Sequence, residues 1–200
     1  MKGSLIIVGF FVLGTICGVC HLLPFDIAET NISYYALCAL MFSVGLSVGN
    51  DPQTLKNFRS LNPRLVFLPI MTILGTLAGS AAVSLILTHR SITDCLAVGS
   101  GFGYYSLSSI FITEYKGAEL GTIALLANIS REILTLLAAP LLVRWFGNLA
   151  PISAGGATTM DTTLPIITRT AGQQFVVVSI FHGFVVDFSV PFLMTLFCSI

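Results

Sequence analysis

The sequence predicts an all-α integral membrane protein with about six transmembrane helices plus one re-entrant or broken segment, on three observations. The 200 residues are 55% hydrophobic and 9% charged, with a mean hydropathy of +0.94. Soluble domains carry about a quarter charged residues, so this chain cannot cover a water-facing surface. Six apolar stretches approach the roughly 20 residues that a helix needs to cross hydrocarbon. Finally, two segments rich in glycine, serine and threonine interrupt the apolar pattern in the second half.

In chain order the apolar stretches are 4–20, 34–48, 65–88, 95–113, 120–143 and 175–200, with an ambiguous segment at 150–167. Lipid offers the backbone no hydrogen-bond partners, so these stretches read as helices, and none shows the alternation of a barrel strand. No linker or soluble domain separates them. The chain therefore reads as one membrane domain, with conventional spans over 1–94 and a region with broken helices over 95–200.

Nine basic residues balance nine acidic ones, and no polybasic tract points to nucleic acid. The loop after the second stretch carries Lys56, Arg59 and Arg64, whereas the loop after the first offers only Asp26 and Glu29. Basic short loops stay cytoplasmic, which places the N-terminus inside and Lys56 to Arg64 inside. If every later stretch crosses, Arg90 and Arg144 both fall outside. Lys2 precedes an apolar core, but no small-x-small cleavage pattern follows, so 4–20 reads as an uncleaved span. Cys17, Cys20 and His21 spell C-x-x-C-H, the pattern of c-type haem attachment. Their place at the end of a lipid-length helix favours packing, and neither a cofactor nor a metal is expected.

The fourth stretch contains Gly99, Ser100, Gly101, Phe102, Gly103, Tyr104, Tyr105 and Ser106. Three alternate glycines each cost about 1 kcal/mol relative to alanine in a helix, which predicts a break, although small residues also serve close helix packing. The ambiguous segment has the same character, with Gly155, Gly156, Thr158, Thr159, Asp161, Thr162 and Thr163 between Pro151 and Pro165. Irregular polar backbone at membrane depth needs protein or a water-filled cavity around it. An ordinary external loop is the other reading. Two discontinuous helices are a pointer to a transporter site, in an inverted-repeat architecture.

Ionisable groups inside apolar sequence are the remaining signal. Arg131 and Glu132 lie mid-way along the fifth stretch, where a charge costs on the order of 3 kcal/mol. Asn128, Glu132 and Thr135 share a helical face, which directs Glu132 and Asn128 to a pathway, while Arg131 points about a quarter-turn away. His182 and Asp187 interrupt the last stretch. His182 is a candidate proton relay or a packing histidine, and Asp187 is read as the structural ion-pair partner of Arg131.

The runs GSGFGYYSLSSIFITE (99–114), NISREIL (128–134), GGATTMDTTLPIITRT (155–170) and His182-Gly183-Phe184 resemble the LysO-type lysine exporter family, over essentially the whole chain. The resemblance implies export of L-lysine and close analogues across the cytoplasmic (inner) membrane, plausibly coupled to protons. It matches Glu132 and Asp161 to intramembrane acids essential in that family. The substrate-binding set expected on this basis is Asp161, Glu132, Asn128, Gly101, Tyr104, Tyr105, Ser106, Thr158 and Thr159, with Glu132, Asp161 and His182 as proton-coupling groups. Full-length members of the family are longer at the N-terminus, so the expectation is a partner, either a small membrane polypeptide or a second copy in a homodimer. That association would use G-x-x-x-G faces such as Gly45 with Gly49 and Gly75 with Gly79. A cation channel could use the same acids, and an intramembrane hydrolase could use Asp161 with His182, but no paired-aspartate or G-x-S-x-G nucleophile pattern appears, and no enzyme activity is expected.

Overall fold

A computed structural model describes residues 63–87 and 89–200, together with six isolated positions, 13, 16, 17, 35, 39 and 42. The two earliest apolar stretches, the basic loop up to residue 62, Cys20, Cys38 and the Gly45 and Gly49 pair lie outside the described residues. Cys17 carries a free thiol.

The described residues contain helices and no strand. A 3-10 turn, Pro63–Phe67, leads into α1, Leu68–Ser84. Helices α2, Ile92–Gly99, and α3, Tyr105–Lys116, follow, and α4 is Ala118–Phe146. A short α5, Ala150–Gly155, passes into a 3-10 turn, Gly156–Met160, before α6, Leu164–Ala171. The last helix, α7, is Val176–Cys198. Ser91 starts α2 by accepting the Asp94 amide at 3.0 Å, with Asp94 itself in the favourable first turn.

Three of these stretches are long and apolar enough to cross a membrane: Leu65–Ser84, Ala118–Phe146 and Gln173–Cys198. Pro140 and Pro191 lie inside α4 and α7, as neighbouring helices in membranes permit.

The fourth apolar stretch corrects the expected count of crossings. It breaks where the glycines predict, but the two halves fold back on each other. Lys116, at the end of α3, reaches Asp94, at the start of α2, with Nζ to Oδ1 at 3.5 Å. Arg90, just before α2, pairs with Glu119 at the start of α4. Were α2 and α3 collinear, their outer ends would stand about 30 Å apart at ~1.5 Å per residue. The segment is a hairpin that enters and leaves at one end of the molecule.

The segment at 150–171 does the same from the opposite end. Ile152 of α5, Ile167 and Ala171 of α6 and Val178 of α7 form one buried cluster, against Leu65, Leu68, Val143 and Phe175. That cluster gathers the start of α1, the end of α4 and the start of α7. The other cluster runs from mid-molecule to the far end through Phe102, Leu107, Phe111, Leu120, Val190, Met194 and Cys198. Because α4 is about 43 Å long, Arg90 beside its start and Arg144 in its last turn lie at opposite ends, not on one side as six straight crossings require.

Candidate functional site

The two hairpins meet tip to tip. The Ala157 amide donates to the Phe102 carbonyl at 2.9 Å, joining the break in one hairpin to the break in the other. Phe102 is fully buried with φ 46°, a left-handed conformation rarely taken by an aromatic residue. Gly156 has φ 64° and ψ −127°, and a Cβ there would strike the Phe102 carbonyl oxygen. Only glycine fits.

Asn128 on α4 secures the first tip. Its Oδ1 accepts the Gly103 amide at 2.7 Å, and its Nδ2 donates toward Ala124 O at 2.9 Å, Ser108 Oγ at 3.2 Å and Val98 O at 3.4 Å. Gly101 is required beside it, since a Cβ would lie 2.5 Å from Nδ2. Arg131, one turn on, secures the second tip. Its Nε donates to Ala154 O at 2.8 Å, Nη2 to Ser153 O at 3.1 Å and Nη1 to Thr76 Oγ1 at 3.3 Å. The guanidinium also stacks 5.8 Å from the centre of the Phe102 ring. These carbonyls close α5, where helix ends leave acceptors without partners and favour a cation.

Here the expected pair of Arg131 and Asp187 is corrected. Among the described residues the ion pairs are Arg90 with Glu119 and Lys116 with Asp94. Arg131 is satisfied by carbonyls and a hydroxyl, because the re-entrant backbone presents unpartnered acceptors at that depth.

His182 is fully buried and bridges three elements. Nε2 meets Thr72 Oγ1 of α1 at 2.9 Å, and Nδ1 meets Thr159 Oγ1 of the second tip at 3.2 Å. Next to it, Gly183 lets α7 touch the tip, since a Cβ there would lie 2.7 Å from the Met160 amide nitrogen.

On one side of the crossing lies a cavity of about 410 Å³, lined by Gly103 to Ser106, Glu132, Ala157, Thr158, Met160 to Thr162 and Asp187. Three carboxylates line it, from α4, the second tip and α7, and among the described residues no basic side chain does. The structure thus brings together Tyr104, Tyr105, Ser106, Glu132, Thr158 and Asp161 of the expected set, and adds Asp187. It does not bring Gly101, Asn128, Thr159 or His182 to the wall. Those four hold the tips. A second, more apolar cavity of about 500 Å³ lies across the crossing, with Asn128 and Arg131 in its lining and Arg90 and Asp94 among its other residues.

A family profile described as "Lysine exporter LysO" matches residues 8–198. The chain belongs to the LysO family. It is 36% identical over 194 residues to "Lysine exporter LysO" of Escherichia coli (strain K12), covering 97% of this chain and 64% of that relative. The chain therefore spans just under two thirds of the length of that LysO protein. It is 34% identical over 196 residues to "Putative lysine exporter" of Haemophilus influenzae (strain ATCC 51907 / DSM 11121 / KW20 / Rd), covering 98% of this chain and 96% of that relative. No solved structure matches. Membership of LysO, with three apolar helices of spanning length, makes this a multi-pass membrane protein.

For this LysO-family chain the sequence contained a signal for the cavity role of Asp187. It stands one helical turn beyond Gly183, the close-contact residue against the second tip, and i, i+4 residues share a face. Met160 and Thr162, which flank Asp161, join the wall through the same turn.

Proposed function

We propose that the chain is a secondary transporter that moves L-lysine and close analogues out of the cytoplasm across the cytoplasmic membrane, in exchange for protons. The observation that carries this reading is the wall of the 410 Å³ cavity, with Glu132, Asp161 and Asp187 and, among the described residues, no basic side chain. Lysine carries two ammonium groups and one carboxylate. Acids replace the hydration of the ammonium groups, and the first turn of α3, at Ser106, offers an amide and a positive dipole end to the carboxylate. Tyr104 supplies a flat wall for the aliphatic stem. A carboxylate that holds either a proton or the cationic substrate, but not both, couples the two fluxes, and we assign that role to Glu132 or Asp161. The names of the two relatives support the substrate.

The proposed architecture is an inverted repeat, in which α2, α3 and α4 form one unit and α5, α6 and α7 form another of opposite orientation. Hairpins that enter from opposite ends, each followed by a full span, support it. In this arrangement Arg144 and Arg169 lie at the end near Leu65, while Arg90 and Lys116 at the other end are paired with acids. That distribution follows the positive-inside rule and assigns the end near Leu65 to the cytoplasm. We further propose that a small membrane polypeptide or a second copy packs on α1, where a Cβ on Gly75 or Gly79 would meet nothing within 4 Å among the described residues. Native mass measurement in mild detergent tests this association, and a monodisperse single chain that transports lysine defeats it.

The test of function is counterflow of labelled lysine in proteoliposomes, with and without a pH gradient. Internal lysine should accelerate entry of the label, and a gradient should drive net flux. Absence of both defeats the proposal.

A further inference from the structure

Asp187 is 8% exposed, yet it has no hydrogen-bond or ion-pair partner among the described residues. No buried side-chain oxygen or nitrogen described in the structure is both sealed from solvent and unpartnered. The unpartnered Asp187 oxygens therefore reach open space, and the space they line is the 410 Å³ cavity. Nothing in packing accounts for an acid here: the helix is apolar, and Val186 and Val190 beside it are fully buried. The titratable groups that share the cavity wall are Tyr104 and Tyr105 from the first hairpin, Glu132 from α4 and Asp161 from the second. Isolated buried carboxylates are costly, so a cation in the cavity is what this side chain lacks.

We infer that Asp187 determines specificity by serving as the third carboxylate of the cavity, fitting it to substrates with two ammonium groups rather than one. A substrate with a single ammonium needs one acid, and that acid can itself exchange the proton. Acids beyond it, such as Asp187 on a different element from Glu132 and Asp161, have work only with a second ammonium. The inference deepens the lysine reading and rests on it for the identity of the substrate, but not for the charge count.

The test is binding to the detergent-purified full chain, measured by thermal shift for 1,5-diaminopentane, lysine and its neutral-ended isostere 6-hydroxynorleucine. The wild type should be stabilised by the two diamines at lower concentration than by the isostere. Asp187→Asn should weaken diamine and lysine binding at least tenfold and leave the isostere within twofold. Asp187→Glu should recover part of the preference. Without ligand, Asp187→Asn should melt no lower than wild type, since it removes an uncompensated charge, which also shows that the variant folds. Equal loss for all three ligands, or no loss for any, overturns the assignment, as does a wild type that no amine stabilises. A wild type that prefers diamines through Asp187 but shows no lysine counterflow upholds this inference and defeats the export reading alone.

Discussion

Phe102 and Ala157 are joined by a backbone hydrogen bond of 2.9 Å, although 55 positions separate them and their hairpins enter from opposite ends. Each tip thereby supplies a partner for the other's irregular backbone, which lipid cannot do.

Gly156→Ala tests that junction. The new Cβ would meet the Phe102 carbonyl and would occupy a backbone region closed to alanine. We expect a loss of about 1–3 kcal/mol in stability, read as a lower melting temperature, together with loss of lysine counterflow. A variant that melts and transports as wild type removes the junction from the mechanism.

Asn128→Leu removes the acceptor for the Gly103 amide while keeping side-chain volume. A buried donor left without a partner costs about 1–3 kcal/mol, so the variant should lose stability as well as transport. If transport falls with an unchanged melting temperature, Asn128 touches substrate after all.

For Arg131, replacement by lysine is the informative change. An ammonium keeps the charge but cannot reach the Ala154 and Ser153 carbonyls and the Thr76 hydroxyl in one planar fork. Arg131→Lys should therefore approach Arg131→Ala in melting temperature. Full rescue by lysine would mean that charge alone matters.

Asp161→Asn should abolish lysine efflux with normal membrane insertion, because Asp161 lines the acidic cavity from the turn that follows Met160. Glu132→Gln should flatten the dependence of flux on the pH gradient. Normal efflux in the first, or wild-type pH dependence in the second, excludes the corresponding role.

Single cysteines at positions 90, 116 and 144 report the topology in a background without native cysteines. Impermeant thiol reagents should label Arg90→Cys and Lys116→Cys from one side of the membrane and Arg144→Cys from the other. Labelling of Arg90→Cys and Lys116→Cys from opposite sides would contradict the first hairpin.

The breaks were legible in the sequence because glycine and threonine density changes backbone cost locally. The return of α3 beside α2 was not, since a broken crossing and a fold-back have the same composition. The Lys116 and Asp94 pair and the Arg90 and Glu119 pair, both tertiary facts, separate them. The partner of Arg131 was misread for a related reason: sequence displays charged side chains, whereas the acceptors that Arg131 uses are carbonyls released by the end of α5. Asn128 was placed on the pathway by its face, but a face does not reveal that Gly101 brings the first tip within reach of its amide. Glu132, Asp161, Tyr104 and Tyr105 were legible because a mid-membrane acid and a broken helix each point to a cavity, and the two signals coincide.

The crossing also has a consequence for biogenesis. Ribosomes deliver the first hairpin, Asn128 and Arg131 before Ala154 and Ala157 exist, so the early tip waits in the membrane with the Phe102 carbonyl unmet and the guanidinium without its two carbonyl acceptors. A nascent chain stopped before the second hairpin should accordingly be held by insertion chaperones or cleared by membrane proteases, and one extended past residue 171 should escape both. Completion of the late hairpin thus supplies what the early one lacks: the Ala157 amide for the Phe102 carbonyl, and the Ser153 and Ala154 carbonyls for the guanidinium.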